Sequence, residues 1–444
     1  MPGTDQTTLA EDPPNDLARE LADVVRRAVC QASKPIVDPA VARYREVEKV
    51  LGRHAATRVL GTVPRTTGFA VRTMRRRLTT EARPGLPETR LTPSLLGYVA
   101  LDEAIVTLAM GPDQYPRRAE YERVHDELAA AGELYRARGW ADDPASYHRA
   151  PPPLGPDDVQ VTAGWAHGLR YERLHFPSEF APRDEEPGAA RWQSFHTNRN
   201  ASAWVLRHDD DVPRPWLVCI HGFGMGEAFM EFPAFRAAHL HRELGINLIG
   251  PTLPLHGRRK VGRFSGDQLL SFDLMNAVHG LTQAAWDVRR VLSWVRAQGP
   301  TGVGVYGVSL GGYTTALVSC LDGDLDLALA GIPVTDFPTL FELQSPPVIV
   351  QRAIDAGVLG GPAEEAHRVV SPLAMPCLVP PEGRAIYAGL ADRLAHPRQA
   401  HDLWTHWDQP TMRWYPGNHV GFLWSSKVAG FIDDRLTTRG LTAT

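Results

Sequence analysis

Cysteine is scarce: four in 444 residues (Cys30, Cys219, Cys320 and Cys377), scattered and without a C-x-x-C spacing. That distribution excludes a disulfide framework and a cysteine-based zinc site, and it fits reduced thiols in a cytoplasmic protein. No H-E-x-x-H and no carboxylate cage occurs. His239 and His241 stand at i and i+2 of a helix-like stretch, on different faces, which makes a poor metal pair. No metal is expected. The phosphate-cradling G-x-x-x-x-G-K-[ST] pattern is missing as well, so no nucleotide or other cofactor is expected. Charge of one sign is not in excess: 47 Lys and Arg against 51 Asp and Glu leave −4, which argues against a nucleic-acid partner. Long apolar runs are absent too. The most apolar stretch, 95–110, is interrupted by Asp102 and Glu103 and is short for a bilayer. The opening MPGTDQTTLAEDPPNDLAREL carries acids and prolines where a secretory leader has a basic start and an apolar core, so a cytoplasmic location is expected.

What is present falls into two rhythms. From about 16 to 147 apolar residues recur at three- and four-residue spacing, as in 41–51 and 118–128, which predicts helices. Pro151, Pro152 and Pro153, followed by Leu-Gly-Pro, form a stiff boundary. The expected division is a helical N-terminal region, 1–155, and a catalytic domain, 156–444. Beyond the boundary strand-like and helix-like segments alternate. Strands are predicted at 171–176, 192–207, 216–220, 246–250, 303–308, 327–332, 384–390 and 411–415, with a helix at 273–297. Continuous apolar strands alternating with helices predict a mostly parallel twisted sheet covered by helices on both faces, an α/β class. Ligands of such sheets bind at the carboxyl ends of the strands.

One of those ends carries the most informative feature. Val303-Gly-Val-Tyr-Gly307-Val-Ser309-Leu310-Gly311-Gly-Tyr313 runs as a strand into G-x-S-x-G and on into a helix-compatible segment. A serine on so tight a strand-to-helix turn is lifted above the sheet, and Gly307 and Gly311 remove side chains that would collide there. The helix start behind it aims N–H groups at a developing oxyanion. A serine hydroxyl needs a base, ordinarily a histidine oriented by a carboxylate. Downstream come a strand, a turn and Asp392, then a strand and a Gly-containing loop that presents His419.

On these motifs the chain resembles the α/β-hydrolase superfamily, in its esterase/lipase-like branch, over about residues 170–435. The resemblance implies an α/β-hydrolase fold with Ser309 as nucleophile, His419 as general base and Asp392 as the orienting acid. It also implies an oxyanion hole from the N–H groups of Phe223 (or Gly224) and Leu310, with His221 and Gly222 supporting the loop. Asp336, after the preceding strand, is an alternative acid, and the position of Asp392 also suits a cap of the next helix. His396, His401 and His406 are the alternative histidines. His256, in an H-G turn, either lines the pocket or builds a structural turn.

The implied activity is a cofactor-free serine hydrolase acting on a small-molecule or lipid ester through an acyl-enzyme. A serine peptidase or amidase, an acyltransferase and a non-catalytic binding module on the same fold stay open. The stretch 58–80 holds Arg58, Arg65, Arg72, Arg75, Arg76 and Arg77 and no acid. It reads either as a surface for anionic membranes or as a segment packed on the catalytic domain. The N-terminal region is expected to dock on the catalytic domain and wall the entrance to Ser309.

Overall fold

The computed structural model describes residues 66–71, 73, 86–87, 91–109, 116, 118–345 and 347–443. The helical reading of 16–65 and most of the basic stretch 58–80 lie outside the described residues, as does Cys30. The described chain belongs to one compact unit, Thr62–Thr444.

Among the described residues nine strands form one sheet: β1 (Gln160–Ala166), β2 (Leu169–Pro177), β3 (Asn200–Leu206), β4 (Trp216–Ile220), β5 (Asn247–Pro251), β6 (Val303–Val308), β7 (Leu327–Gly331), β8 (Arg384–Gly389) and β9 (Thr411–Tyr415). Their spatial order is β1-β2-β3-β5-β4-β6-β7-β8-β9. The β1–β2, β2–β3 and β3–β5 pairings are antiparallel, and the pairings from β5 through β4, β6, β7 and β8 to β9 are all parallel. Fully apolar segments such as Trp216–Ile220 become central strands because both faces of the sheet are covered. Trp216, Val218 and Ile220 face one core with Val303, Val305 and Ile386. Leu217 and Cys219 face the other with Tyr306, Val308 and Tyr387. This is an α/β-hydrolase fold.

The helices that position the site are α1 (Pro93–Ala109), α2 (Arg118–Ala137), α3 (Leu274–Ala297), α4 (Leu310–Ser319), α5 (Phe337–Gln344), α6 (Pro397–His406) and α7 (Ser426–Thr438). The apolar stripe of α2, Tyr121, Val124, Leu128, Ala131 and Tyr135, enters the same core as α3 and α4. Arg123 and Arg191 both bind Glu127, and Arg123 also binds Asp273 just before α3. α7 packs on the opposite core through Val428, Phe431, Ile432 and Leu436. No described helix is long and apolar enough to cross a membrane.

One strand assignment needs correction. The segment 192–207 is not a single strand: a short helix, Ala189–Gln193, and a turn, His196–Arg199, precede β3. Trp192 and Phe195 share one side of that turn at i and i+3, and the Trp192 indole N–H donates to Gln283 on α3 at 3.0 Å. Helical spacing, not strand alternation, is what sets the two rings on one side.

Candidate active site

In sequence β4 is followed by β5 on one side and β6 on the other, so the carboxyl ends of β4 and β6 lie side by side where strand order reverses. A crevice at such a reversal is where ligands bind in doubly wound sheets. The loop after β4 carries His221 to Gly226, and the turn after β6 carries Ser309.

Ser309 has φ 58° and ψ −113°, a strained backbone for a residue with a side chain. Its N–H donates to the Gly331 carbonyl at the end of β7 (2.9 Å), and its own carbonyl accepts from Tyr313 in α4 (3.0 Å), so both neighbours hold the strained turn. A Cβ at Gly307 would run into the Gly311 carbonyl, and one at Gly311 into the Ile220 carbonyl of β4. Glycine is required at both positions for strand and helix to meet this closely.

The acid and histidine turns are zipped together beyond β8 and β9. Leu390 N–H donates to Tyr415 O (2.9 Å) and Ala391 N–H to Gly417 O (3.0 Å), while the Tyr415 hydroxyl donates to Asn418 O (2.6 Å). This brings Asp392 Oδ2 to 2.7 Å from His419 Nδ1, and His419 Nε2 to 2.9 Å from Ser309 Oγ. A carboxylate only accepts, so the ring proton sits on Nδ1 and Nε2 is free to accept from the serine hydroxyl. Asp392 also does what its position suggested for a cap: its Oδ1 accepts the N–H groups of Leu394 (2.9 Å) and Ala395 (2.8 Å). The two readings of this residue use different oxygens.

Burial works against a charged His419, but the Asp392 carboxylate, its hydrogen bond and the charge of Asp102 outweigh it and hold the imidazole above its usual pKa. His419 and Asp392 are buried, and Ser309 is partly exposed, so an entering ligand meets the hydroxyl first.

The alternatives lie elsewhere. Asp336 caps α5, accepting Thr339 N–H (3.1 Å) and the Thr339 hydroxyl (2.5 Å), and has no contact with His419. His396 caps α6 by accepting Arg398 N–H at 3.2 Å, and His406 donates to Met375 O at 2.8 Å. His401 lies 3.9 Å from Asp402 on α6.

His221 is wholly buried: Nδ1 donates to Gly222 O (2.8 Å), and Nε2 accepts Leu253 N–H (3.0 Å), tying the loop to the end of β5. Burial, reinforced by neighbouring His256, pushes it down to about 3, so it stays a neutral brace. His256 is buried as well, edge-on to Phe223 and to His221, with Nδ1 donating to Pro254 O (2.8 Å). Its ring is buried within the turn, held by its own backbone neighbour.

Gly222 sits against Ser309: a Cβ there would lie 3.4 Å from the serine Cβ. Among the turn and loop hydrogen bonds of the described residues, neither Phe223 nor Leu310 donates its N–H. Leu310 opens α4, where an N–H has no partner within the helix.

Among the described residues no cluster of His, Cys, Asp and Glu could hold a metal. A small cavity of about 10 Å³ bounded by Tyr147, Arg183, Glu186 and Trp286 holds no more than a water and shares no residue with the Ser309 array. Sequence reasoning missed two site residues. Asp102 and Glu103 were read as breaks in an apolar run. Their carboxylates meet the turns that carry Asp392 and His419.

No family model matches the chain. Two proteins of Mycobacterium tuberculosis, the uncharacterized proteins Rv2627c (strain ATCC 25618 / H37Rv) and MT2702 (strain CDC 1551 / Oshkosh), are each 40% identical over 358 residues, 80% of this chain and 85% of theirs. The chain belongs to their family. Among solved structures, it is similar to acetyl xylan esterase 1 from Thermoanaerobacterium sp. JW/SL YS485 (14% identity, TM-score 0.44, 69% of this chain and 93% of that one). An acetyl xylan esterase from Paenibacillus sp. R4 is similar at 15% identity and TM-score 0.45, over 75% of this chain and 100% of that one. A puromycin-hydrolyzing peptidase of Mycobacterium tuberculosis follows at 17% identity and TM-score 0.40, over 64% of this chain and 40% of its own. Likeness at this level carries no chemistry across.

Proposed function

We propose that the protein is a serine hydrolase that cleaves carboxylic esters through an acyl-enzyme. The observation that carries the reading is the unbroken Ser309–His419–Asp392 hydrogen-bonded chain, set on a strained turn at the carboxyl end of β6. Ser309 Oγ attacks the ester carbonyl while His419 Nε2 takes its proton. The carbonyl electrons move to the oxygen, where the N–H groups of Phe223 and Leu310 receive the charge. One such donor is worth about 2.7–4 kcal/mol. The C–O bond then breaks, and His419 returns the proton to the leaving alcohol. Water, activated by the same imidazole, releases the acid and restores the serine. Asp392 keeps the proton on Nδ1 and stabilises the imidazolium.

Amide hydrolysis and transfer to an alcohol use the same steps, so substrate profiling separates them. α1 is assigned to the surroundings of the site, since it contacts the acid and histidine turns directly. The test is labelling by a fluorophosphonate followed by peptide mapping, with a panel of nitrophenyl esters of increasing chain length beside peptide amides. Stoichiometric label on Ser309, abolished in Ser309→Ala together with ester turnover, is expected. A folded protein labelled elsewhere, or not at all, overturns the assignment.

A further inference from the structure

α1 carries two acidic residues within an apolar run, and both are buried: Asp102 at 0% and Glu103 at 2% exposure. Buried carboxylates persist where hydrogen bonds replace lost water. Asp102 has them. Its Oδ2 accepts the backbone N–H of His419 (3.0 Å) and of Arg393 (3.0 Å), and its Oδ1 accepts from Asn418 Nδ2 (2.7 Å). Arg393 follows Asp392 directly, and Asn418 precedes His419. One carboxylate from outside the sheet therefore grips the acid turn and the histidine turn at once.

The helix that delivers it is pinned around the same spot. Glu103 Oε1 accepts from Arg393 Nε (2.8 Å), Tyr98 O accepts from Asn418 Nδ2 (3.1 Å), and the Tyr98 ring stacks on Trp424 with centroids 6.4 Å apart. Leu95 and Val99 pack against Ala391, one residue before Asp392, with Phe69 on the flank.

We infer that Asp102 is a positioning residue for the Ser309–His419–Asp392 array, its carboxylate clamping the two turns in register and adding a second negative charge behind the imidazole. The inference rests on the serine-hydrolase reading. The titratable groups facing Asp102 are Asp392 and His419 on the two turns and Tyr415 at the end of β9. Burial first, and then the Asp392 charge, push the Asp102 carboxyl up, while the His419 charge and the backbone N–H groups of His419 and Arg393 pull it back. Its charge in turn favours the protonated form of His419. Removing that charge must lower the His419 pKa and carry the acid limb of reactivity to lower pH.

The experiment is the rate of Ser309 labelling by a fluorophosphonate against pH, in the full chain. Asp102→Asn keeps the shape and loses the charge. Its labelling should slow on the order of 10–100-fold, by analogy with the outer-shell groups that orient metal-ligating side chains. Its acid limb should move to lower pH, while Asp102→Glu returns the limb towards wild type. Glu103→Ala, which removes the acceptor for Arg393 Nε without touching the imidazole, should melt earlier with the limb unmoved. Asp102→Ser, with room for a water on the three donors, stands in if the amide does not fold. Folded Asp102 variants that label at the wild-type rate with an unmoved limb overturn the inference.

If wild type itself fails to label at Ser309, the hydrolase reading falls. The pH titration of the downfield His419 Nδ1–H resonance then still decides the clamp: a midpoint lowered in Asp102→Asn supports it, and an unchanged midpoint overturns it.

Discussion

Asp392→Asn is the sharpest test of the array, because the structure dictates how the amide must sit. In the native turn Oδ1 is held by two donors, the N–H groups of Leu394 and Ala395, and Oδ2 faces His419 Nδ1. An asparagine must leave its one oxygen on those two donors, so its NH2 points at Nδ1. A donor facing Nδ1 forces that nitrogen to accept, and the ring proton moves to Nε2. Nε2 lies 2.9 Å from Ser309 Oγ and can then no longer take the serine proton. A histidine locked in the wrong tautomer costs a serine hydrolase about 10⁴-fold in kcat. At 1.36 kcal/mol per tenfold, that is about 5.5 kcal/mol of lost transition-state stabilisation. The turn keeps its own hydrogen bonds, so the melting temperature should stay near wild type. The assay is steady-state hydrolysis of p-nitrophenyl acetate with the labelling rate of Ser309, alongside a thermal melt. A folded variant that retains more than about a tenth of the wild-type rate would refute the reasoning. Asp336→Ala is the comparator: it removes the cap of α5, should lose about 0.5–2 kcal/mol of stability, and should keep its rate.

Three further outcomes follow from the same geometry. Because His419 must be neutral to accept a proton and its pKa is held above 6.5, kcat/KM should fall with acid through a midpoint above pH 6.5; a midpoint below that value contradicts the arrangement. Asp287→Ala strips the partner from Arg259, whose side chain is 1% exposed and 2.8 Å from that carboxylate, and should cost about 3–5 kcal/mol in urea denaturation. Gly311→Ala drives a methyl into the Ile220 carbonyl and should lower the melting temperature as well as slow the labelling of Ser309, since β4 and α4 must part to admit it.

The parts of the molecule that could be read from sequence are those where one physical demand dominates. Trp216–Ile220 and Val303–Val308 are apolar throughout because they lie in mid-sheet, and no helix-period pattern competes with that. Ser309 was legible because a strained elbow admits only small neighbours. β1 was not legible: it is an edge strand, exposed along most of its length, and its Val161 and Trp165 face outward. Its only signal was the turn to β2 at His167 and Gly168, both at positive φ. Asp392 looked ambiguous because a cap and an orienting acid have the same local sequence, and only the fold shows that one carboxylate both accepts the Leu394 and Ala395 N–H groups and faces His419 Nδ1. Asp102 was hidden for another reason. Its partners are backbone N–H groups more than 290 residues away, which no local pattern reports. The hint was two acids inside a run apolar enough to be buried, which obliges them to find donors.

The order in which the array is assembled has a kinetic consequence. The contacts that complete it span very different lengths of chain: 27 residues between Asp392 and His419, 110 between Ser309 and His419, and 317 between Asp102 and His419. By loop-closure entropy the longest costs only about 2 kcal/mol more than the shortest. Yet on a chain synthesised from its N-terminus, Asp102 and Ser309 leave the ribosome long before His419 exists. The elbow between β6 and α4 can therefore fold around a serine that is chemically mute. On the proposed function, reactivity requires the histidine turn to have closed against β8 and onto α1. Labelling of Ser309 thus counts chains that have closed from end to end, whereas circular dichroism also counts those that have only formed their helices.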